Sequence, residues 1–333
     1  MKIIRNPGVS SWPELLARPV FDREDLTTIV ADIVNAVKLN GDAALRELTK
    51  KFDGVEISDI EVSNEEIEAA GAEVPEELRA AIALAKSNIE KFHRAQIQQP
   101  LAVETAEGVT CWRKQVPIEK VGLYIPAGTA PLFSTVLMLA IPATIAGCQE
   151  IVLCSPPDSD GRVNPVVLYT AKLCGVTKVY RIGGAQAIAA MAFGTDSVTR
   201  CYKIFGPGNQ FVTMAKQLVA QFGTAIDMPA GPSEVAVIAD ETSIPEFVAA
   251  DLLSQAEHGI DSHVVLITTS EKVLAESLKS LEEQLDKLPR REIAAEALKN
   301  SVAVVVEDID EAVAMANEYA AEHLILAVDD AEA

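Results

Sequence analysis

Residues 151–193 read IVLCSPPDSDGRVNPVVLYTAKLCGVTKVYRIGGAQAIAAMAF, and the way this stretch changes period decides the fold. Ile151 to Ser155 is a short apolar run closed by Pro156-Pro157, the length and punctuation of a buried strand. Asn164-Pro165 supplies a cap and a first helical residue, and Gly175 ends that helix. Lys178 to Ile182 is strand-like again, and Gly184 to Phe193 helical again. Alternation at this spacing predicts parallel βαβ units.

The pattern extends in both directions. Upstream, Val109 to Val116 and Val121 to Ile125 read as strands. Downstream come strand Tyr202–Phe205, helix Asn209–Phe222, strand Val235–Ala239, and a helix capped by Ser243 with Pro245 in its first turn. Strand His263–Thr268, helices from Glu271 and Arg291, strand Val302–Val306, a helix from Asp308 and strand Leu324–Val328 complete the series. The first third is helical. Leu26, Ile29, Val30, Ile33, Val34 and Val37 share one face, and Asn40-Gly41 stops the run. Ser63-Asn64-Glu65-Glu66 is a capping box, and Pro75 opens a further amphipathic helix.

The expected class is α/β, with two Rossmann-like parallel-sheet domains, one inserted in the other, and an N-terminal helical arm. The arm is expected over residues 1–20, where Trp12, Leu15 and Leu16 find no partner in their own segment and would serve dimer contacts. Residues 21–123 plus 235–333 would form the first domain, and residues 124–234 the inserted one.

Composition narrows the function. The chain has 333 residues, about two domains' worth at ~150 each. It is 49% hydrophobic and 23% charged, which excludes long disorder. A net charge of -21 repels nucleic acid and anionic membrane surfaces. Leu132 to Ala146, the most apolar segment, carries Pro142 and is too short to span a bilayer. Five cysteines without CxxC spacing fit a reducing cytoplasm.

Several local patterns could carry chemistry, each with a plainer reading beside it. Phe205-Gly206-Pro207-Gly208-Asn209, between strand and helix, could cradle an anion on backbone N–H groups, or simply turn sharply. Gly183-Gly184-Ala185-Gln186 is equally open. Gln255 and His258 stand one helical turn apart and could share a metal ion, or His258 could serve the helix terminus alone. Glu322-His323 offers an acid and an imidazole side by side at an element boundary. The Asp227–Glu234 loop could deliver Ser233 to a crevice. Cys148 is the tempting nucleophile, though no basic neighbour would lower its pKa, and buried packing is the better reading. His93 reads as surface and His263 as structural.

Taken together, VGLYIPAGTAPLFSTVLMLAIPATIAGCQEIVLCSPP (121–157), GGAQAIAAMAFGT, KIFGPGNQFVTMAK, AIDMPAGPSEV, DLLSQAEHG and EYAAEHLI resemble, in order, the segments of bacterial histidinol dehydrogenase. The resemblance runs from about Leu45 onward. Members oxidise L-histidinol to L-histidine in two NAD-dependent steps, the last of histidine biosynthesis. It implies NAD contacts at Tyr124, Gln186 and Asn209, and a substrate contact at Ser233. It makes Gln255 and His258 zinc ligands (Zn2+) that also face substrate. Glu322 and His323 would be the catalytic pair, with His323 also facing substrate as the repeated base and Glu322 activating water. The aldehyde between the steps would be sheltered in a closed cleft between the domains. Ala127-Gly128-Thr129 departs slightly from the relatives' Gly-Gly-Ser.

The resemblance also implies a homodimer and a continuation beyond Asp329-Asp330-Ala331-Glu332-Ala333, which by itself reads equally as the first turn of a helix or as a frayed tail. That continuation would bring an Asp and a His as two more zinc ligands, the His reaching the other subunit's site, and a Glu for substrate. The chain is therefore expected to be truncated and inactive as it stands. Two further readings are a non-catalytic NAD-binding or dimerisation fragment and an aldehyde-oxidising enzyme with Cys148 as nucleophile.

Overall fold

The computed structural model describes residues 1–18, 23–127, 132–229 and 233–332, without the side chains of residues 23–25. The Gly128-Thr129 departure and the Gly231-Pro232 pair before Ser233 lie outside them. In chain order the elements are β1 (Lys2–Arg5), α1 (Trp12–Leu15), α2 (Arg23–Phe52), α3 (Asn64–Glu73), α4 (Glu76–Ala95), β2 (Leu101–Ala106) and β3 (Val109–Arg113). Then come β4 (Lys120–Tyr124), α5 (Phe133–Ala146), β5 (Glu150–Cys154), α6 (Pro165–Leu173), β6 (Lys178–Tyr180), α7 (Gly184–Phe193), β7 (Lys203–Phe205), α8 (Gln210–Ala220) and β8 (Ala225–Ile226). The last third holds β9 (Glu234–Ala239), α9 (Pro245–Ala256), β10 (His263–Thr268), α10 (Glu271–Leu285), α11 (Arg291–Lys299), β11 (Val302–Val305), α12 (Ile309–Tyr319) and β12 (His323–Ala327).

These elements form two compact units. One comprises residues 22–230, and the other residues 1–21 together with 231–333. Each is built on a five-stranded sheet whose neighbouring strands all run parallel, so the class is α/β as the alternation implied. The boundaries need correction. The helical third does not join the last strands. Val30, Ile33, Val34, Val37 and Leu45 of α2 are buried in one cluster with Tyr124, α7 and α8. Ile82 of α4 is buried with α5, α6 and β4. Apolar stripes on α2 and α4 alone do not say which sheet they cover; the choice is tertiary.

In the larger unit the sheet order is β6-β5-β4-β7-β8. The chain leaves β4 to one side for β5 and β6, then crosses to the other for β7 and β8. The carboxyl ends of β4 and β7 thus flank a topological switch point, where α/β sheets open a crevice. The capping box at Ser63 is present in both directions, and the Asn164 Oδ1 accepts from the Val166 N–H at 2.9 Å. Gly41 breaks α2 with φ 53°, a left-handed conformation that suits glycine. The antiparallel β2–β3 hairpin is exposed along its whole length, and only its second strand was legible in the sequence.

In the smaller unit the order is β1-β11-β10-β9-β12. Here the expected arm is corrected too. Lys2–Arg5 pairs with Val302–Val305 as an edge strand, and Trp12 and Leu16 are buried against Ala236, Ile238, Val265 and Met315. Their partners are far away in sequence, which is why the segment looked unpartnered. Ser243 does not cap α9: its hydroxyl donates to the Asp240 carbonyl at 2.7 Å, and Ile244 takes the cap position. Strand β12 is more open than its apolar sequence suggests, with Leu324 and Leu326 exposed. Among the described residues, no helix is long and apolar enough to cross a membrane.

Replacing Trp12 by Ala removes a 5%-exposed indole and its hydrogen bond to the Pro7 carbonyl. We expect a loss of about 3–5 kcal/mol in chemical denaturation. A loss below about 1 kcal/mol would mean that residues 1–16 do not belong to the sheet unit.

Candidate active-site residues in two units

The larger unit gathers three sequence candidates in one place. Tyr124, Gln186 and Asn209 line a cavity of about 320 Å³ with Ile29, Ile33 and Asp53, at the carboxyl edge of the sheet. Tyr124 ends β4. Its hydroxyl accepts the Gly184 N–H at 3.0 Å, which leaves the phenolic proton to donate elsewhere. Burial, more than any neighbour, pushes this phenol up to about 12, so it stays neutral. Gln186 lies in the first turn of α7 and is 2% exposed. The Asn209 Oδ1 caps α8 by accepting from Phe211 and Val212 N–H, both at 3.1 Å, leaving its amide NH₂ to donate.

The glycine turn after β7 resolves toward its plainer reading. A Cβ on Gly206 would overlap the Tyr124 carbonyl oxygen, so glycine here permits β7 and β4 to close up. Lys216, 3% exposed, donates to the Gly206 carbonyl at 2.9 Å and pairs with Asp227, whose other oxygen accepts the Gly206 N–H at 2.8 Å. The turn is pinned from both sides, and it sets where Asn209 starts its helix.

A neutral phenol, two amides and a carboxylate around a pocket at a switch point fit a dinucleotide. Asp53 is the member that sequence reasoning missed. It follows α2, has an inner oxygen without a hydrogen-bond partner among the described residues, and is pushed up to about 6 by burial. Its neighbours Lys50-Lys51 and Gly54 gave no signal, since a charged residue at a helix end reads as solvated.

The smaller unit gathers the other five at the amino edge of its sheet. Ser233 immediately precedes β9. His323 opens β12 and pairs with Val235, one residue along β9. Helix α9 runs back from β9 and delivers Gln255, buried, and the turn that follows it brings His258, exposed, to the side where β10 begins at His263, itself opposite Glu234. The two groups flagged as metal donors and the acid–imidazole couple therefore share one edge.

The His323 Nδ1 lies 3.3 Å from the Glu234 carbonyl and 3.7 Å from the Glu322 carboxylate. A carbonyl only accepts, so this contact places the proton on Nδ1 and leaves Nε2 as the basic nitrogen. The supporting residue Glu234 is 4% exposed and held by Arg18, which reaches it from Nε at 2.5 Å and donates at 2.7 Å to the Tyr319 carbonyl. Arg18 was not singled out from the sequence, because nothing in residues 12–18 points to a partner more than 200 positions away. His263 is structural as expected: it is 1% exposed, sits 2.8 Å from the Tyr319 hydroxyl, and its pKa is lowered by burial.

The metal fit is partial. Gln255 and His258 offer an oxygen and an imidazole nitrogen, and no cluster of three or more His, Cys, Asp or Glu among the described residues could hold an ion. Tetrahedral zinc takes four donors. Burial raises the Cys148 thiol above its ordinary range and does the same to Cys154, Cys174 and Cys201. That disfavours a thiolate nucleophile.

A family model described as histidinol dehydrogenase matches residues 16–333. The histidinol dehydrogenase of Bacteroides fragilis (strain YCH46) is 58% identical over 330 residues, 99% of this chain and 77% of that protein. That of Haemophilus influenzae is 55% identical over 96% of this chain and 74% of its own. The crystal structure of histidinol dehydrogenase from Elizabethkingia anophelis superposes with a TM-score of 0.96 at 55% identity, covering the whole of this chain and 77% of that one.

Two stability measurements follow. Replacing Arg18 by Met leaves the Glu234 carboxylate nearly buried without its cation. We expect a cost of about 3 kcal/mol in urea unfolding, and an unchanged midpoint would remove Glu234 as an anchor. For Asp53, the folded pKa near 6 exceeds the unfolded value of 3.8, so the native state binds the proton more tightly. Its ionisation costs nothing below about pH 4, progressively more from pH 4 to 6, and its full penalty above that. Asp53→Asn should thus gain about 1 kcal/mol at pH 7–8, allowing for solvent screening at a half-open position, and nothing near pH 4. A gain of equal size at both pH values would contradict the assignment.

Proposed function

The chain belongs to the histidinol dehydrogenase family, and from that premise we propose that it oxidises L-histidinol through L-histidinal to L-histidine with NAD. What supports the residue roles is the His323 imidazole, held by the Glu234 carbonyl with Glu322 beside it, on the edge that also carries Ser233, Gln255 and His258.

In this reading Nε2 of His323 takes the hydroxyl proton of histidinol as hydride leaves its carbon. NAD, when bound, accepts that hydride. Tyr124, Gln186 and Asn209 hold the dinucleotide by hydrogen bonds and orient it. Glu322 then removes a proton from water, which adds to the aldehyde carbon to give the hydrate. His323, its proton returned to solvent, takes the hydrate's hydroxyl proton as a second hydride leaves the same carbon, for which a second NAD would be the acceptor. Ser233 positions the substrate. Gln255 and His258 are the groups that would hold zinc, which would anchor the imidazole and amine of the substrate.

Two donors are half a tetrahedral shell, so no step is assigned to the metal. Part of the proposal is that Gln255 and His258, the two zinc donors identified among the described residues, do not suffice by themselves, so that these 333 residues are inactive until the holoenzyme supplies the remaining ligands. The five free thiols support a reducing cytoplasm as the setting. A homodimer acting on a small molecule, without nucleic acid or membrane partners, completes the reading.

The test separates the half-reactions in zinc-replete holoenzyme. His323→Ala is expected to lower both histidinol oxidation and histidinal oxidation by about 10²–10⁴-fold. Glu322→Gln should spare the first while lowering the second by a similar factor. Equal losses in the Glu322 variant would refute the water-activating role.

A further inference from the structure

The cavity of the larger unit contains a carboxylate that the proposed roles leave unused. Asp53 follows the last turn of α2, where its N–H donates to the Thr49 carbonyl at 2.8 Å. Its Oδ2 is buried and has no hydrogen-bond partner among the described residues. Among the described residues, no Lys, Arg or His lines the cavity to offset the charge. A carboxylate so placed is costly to the folded chain.

The other polar groups of the cavity can all donate. Tyr124 has its phenolic proton, Asn209 its NH₂ and Gln186 an amide. Asp53, when ionised, is among the described residues the one lining side chain that only accepts. A ligand completing this set carries acceptors for the three donors and adjacent hydroxyls for the carboxylate. A ribose cis-diol has that pair. A phosphate in place of one hydroxyl would bring its negative charge against an acid with no cation to relieve it.

We propose that Asp53 accepts the ribose hydroxyls of the dinucleotide and sets the preference for NAD over its 2′-phosphorylated analogue NADP. This rests on the reading of the cavity as the dinucleotide site. It also accounts for an acid placed where it weakens the fold: the carboxylate gains hydrogen-bond donors when the ligand binds.

The test is calorimetric titration of the zinc-replete protein with NAD and with NADP at pH 8, for wild type, Asp53→Asn and Asn209→Ala. Wild type is expected to bind NAD at least about 100-fold more tightly than NADP. Asp53→Asn should weaken NAD by about 10- to 100-fold, the worth of charged hydrogen bonds, while strengthening NADP, so that the two come within about 10-fold. A gain toward NADP cannot arise from misfolding, and a thermal midpoint at or above wild type at pH 8 checks folding directly. Unchanged NAD affinity, or a parallel loss of NAD and NADP, would overturn the role of Asp53 and leave the cavity reading intact. Absence of NAD binding in wild type, or full binding in Asn209→Ala, would overturn the cavity reading and this proposal with it.

Discussion

The parallel register of β12 on β9 governs where the candidate residues of the smaller unit come together. His323 stands opposite Val235, so its imidazole falls beside the Glu234 carbonyl and the main chain chooses its tautomer. A slip of one residue would turn the imidazole to the other face and put Leu324 in its place. Glu234 is in turn held by Arg18, from a segment that also contributes an edge strand and two buried apolar anchors to the same sheet. The catalytic imidazole of the proposed reaction is thus supported from the first eighteen residues of the chain.

In the larger unit the corresponding constraint is the close approach of the β7 turn to β4. Gly206 allows it, Lys216 and Asp227 clamp it, and Tyr124 and Asn209 are carried to one cavity as a result. Strand order supplies the opening, since chains that leave β4 in opposite directions cannot fill the space above it. The two sets of candidate residues therefore depend on different edges: carboxyl ends of strands in one unit, amino ends in the other.

Much of this was legible beforehand because it is local. Ser63 and Glu66 cap each other, Asn164 caps α6, and Asp308 caps α12, all within four residues. The alternation of strands and helices holds because each step depends on its own periodicity. What escaped is long-range. Trp12 and Leu16 look partnerless until β9 and β10 are beside them, and the apolar face of α2 does not announce which sheet it covers. Asp53 and Arg18 act through burial and distant partners, and spacing carries no trace of either. The candidate residues themselves were found by resemblance; the spacing of Gln255 and His258, or a glycine turn before Asn209, left a plain structural reading equally open.

The central claim is that one chain's residues serve two successive oxidations of one substrate. Counting NADH against histidinol consumed in zinc-replete holoenzyme measures this directly. The account predicts two NADH per L-histidinol, with L-histidine as product and no free aldehyde. One NADH per substrate with the aldehyde released, or none at all, would contradict it.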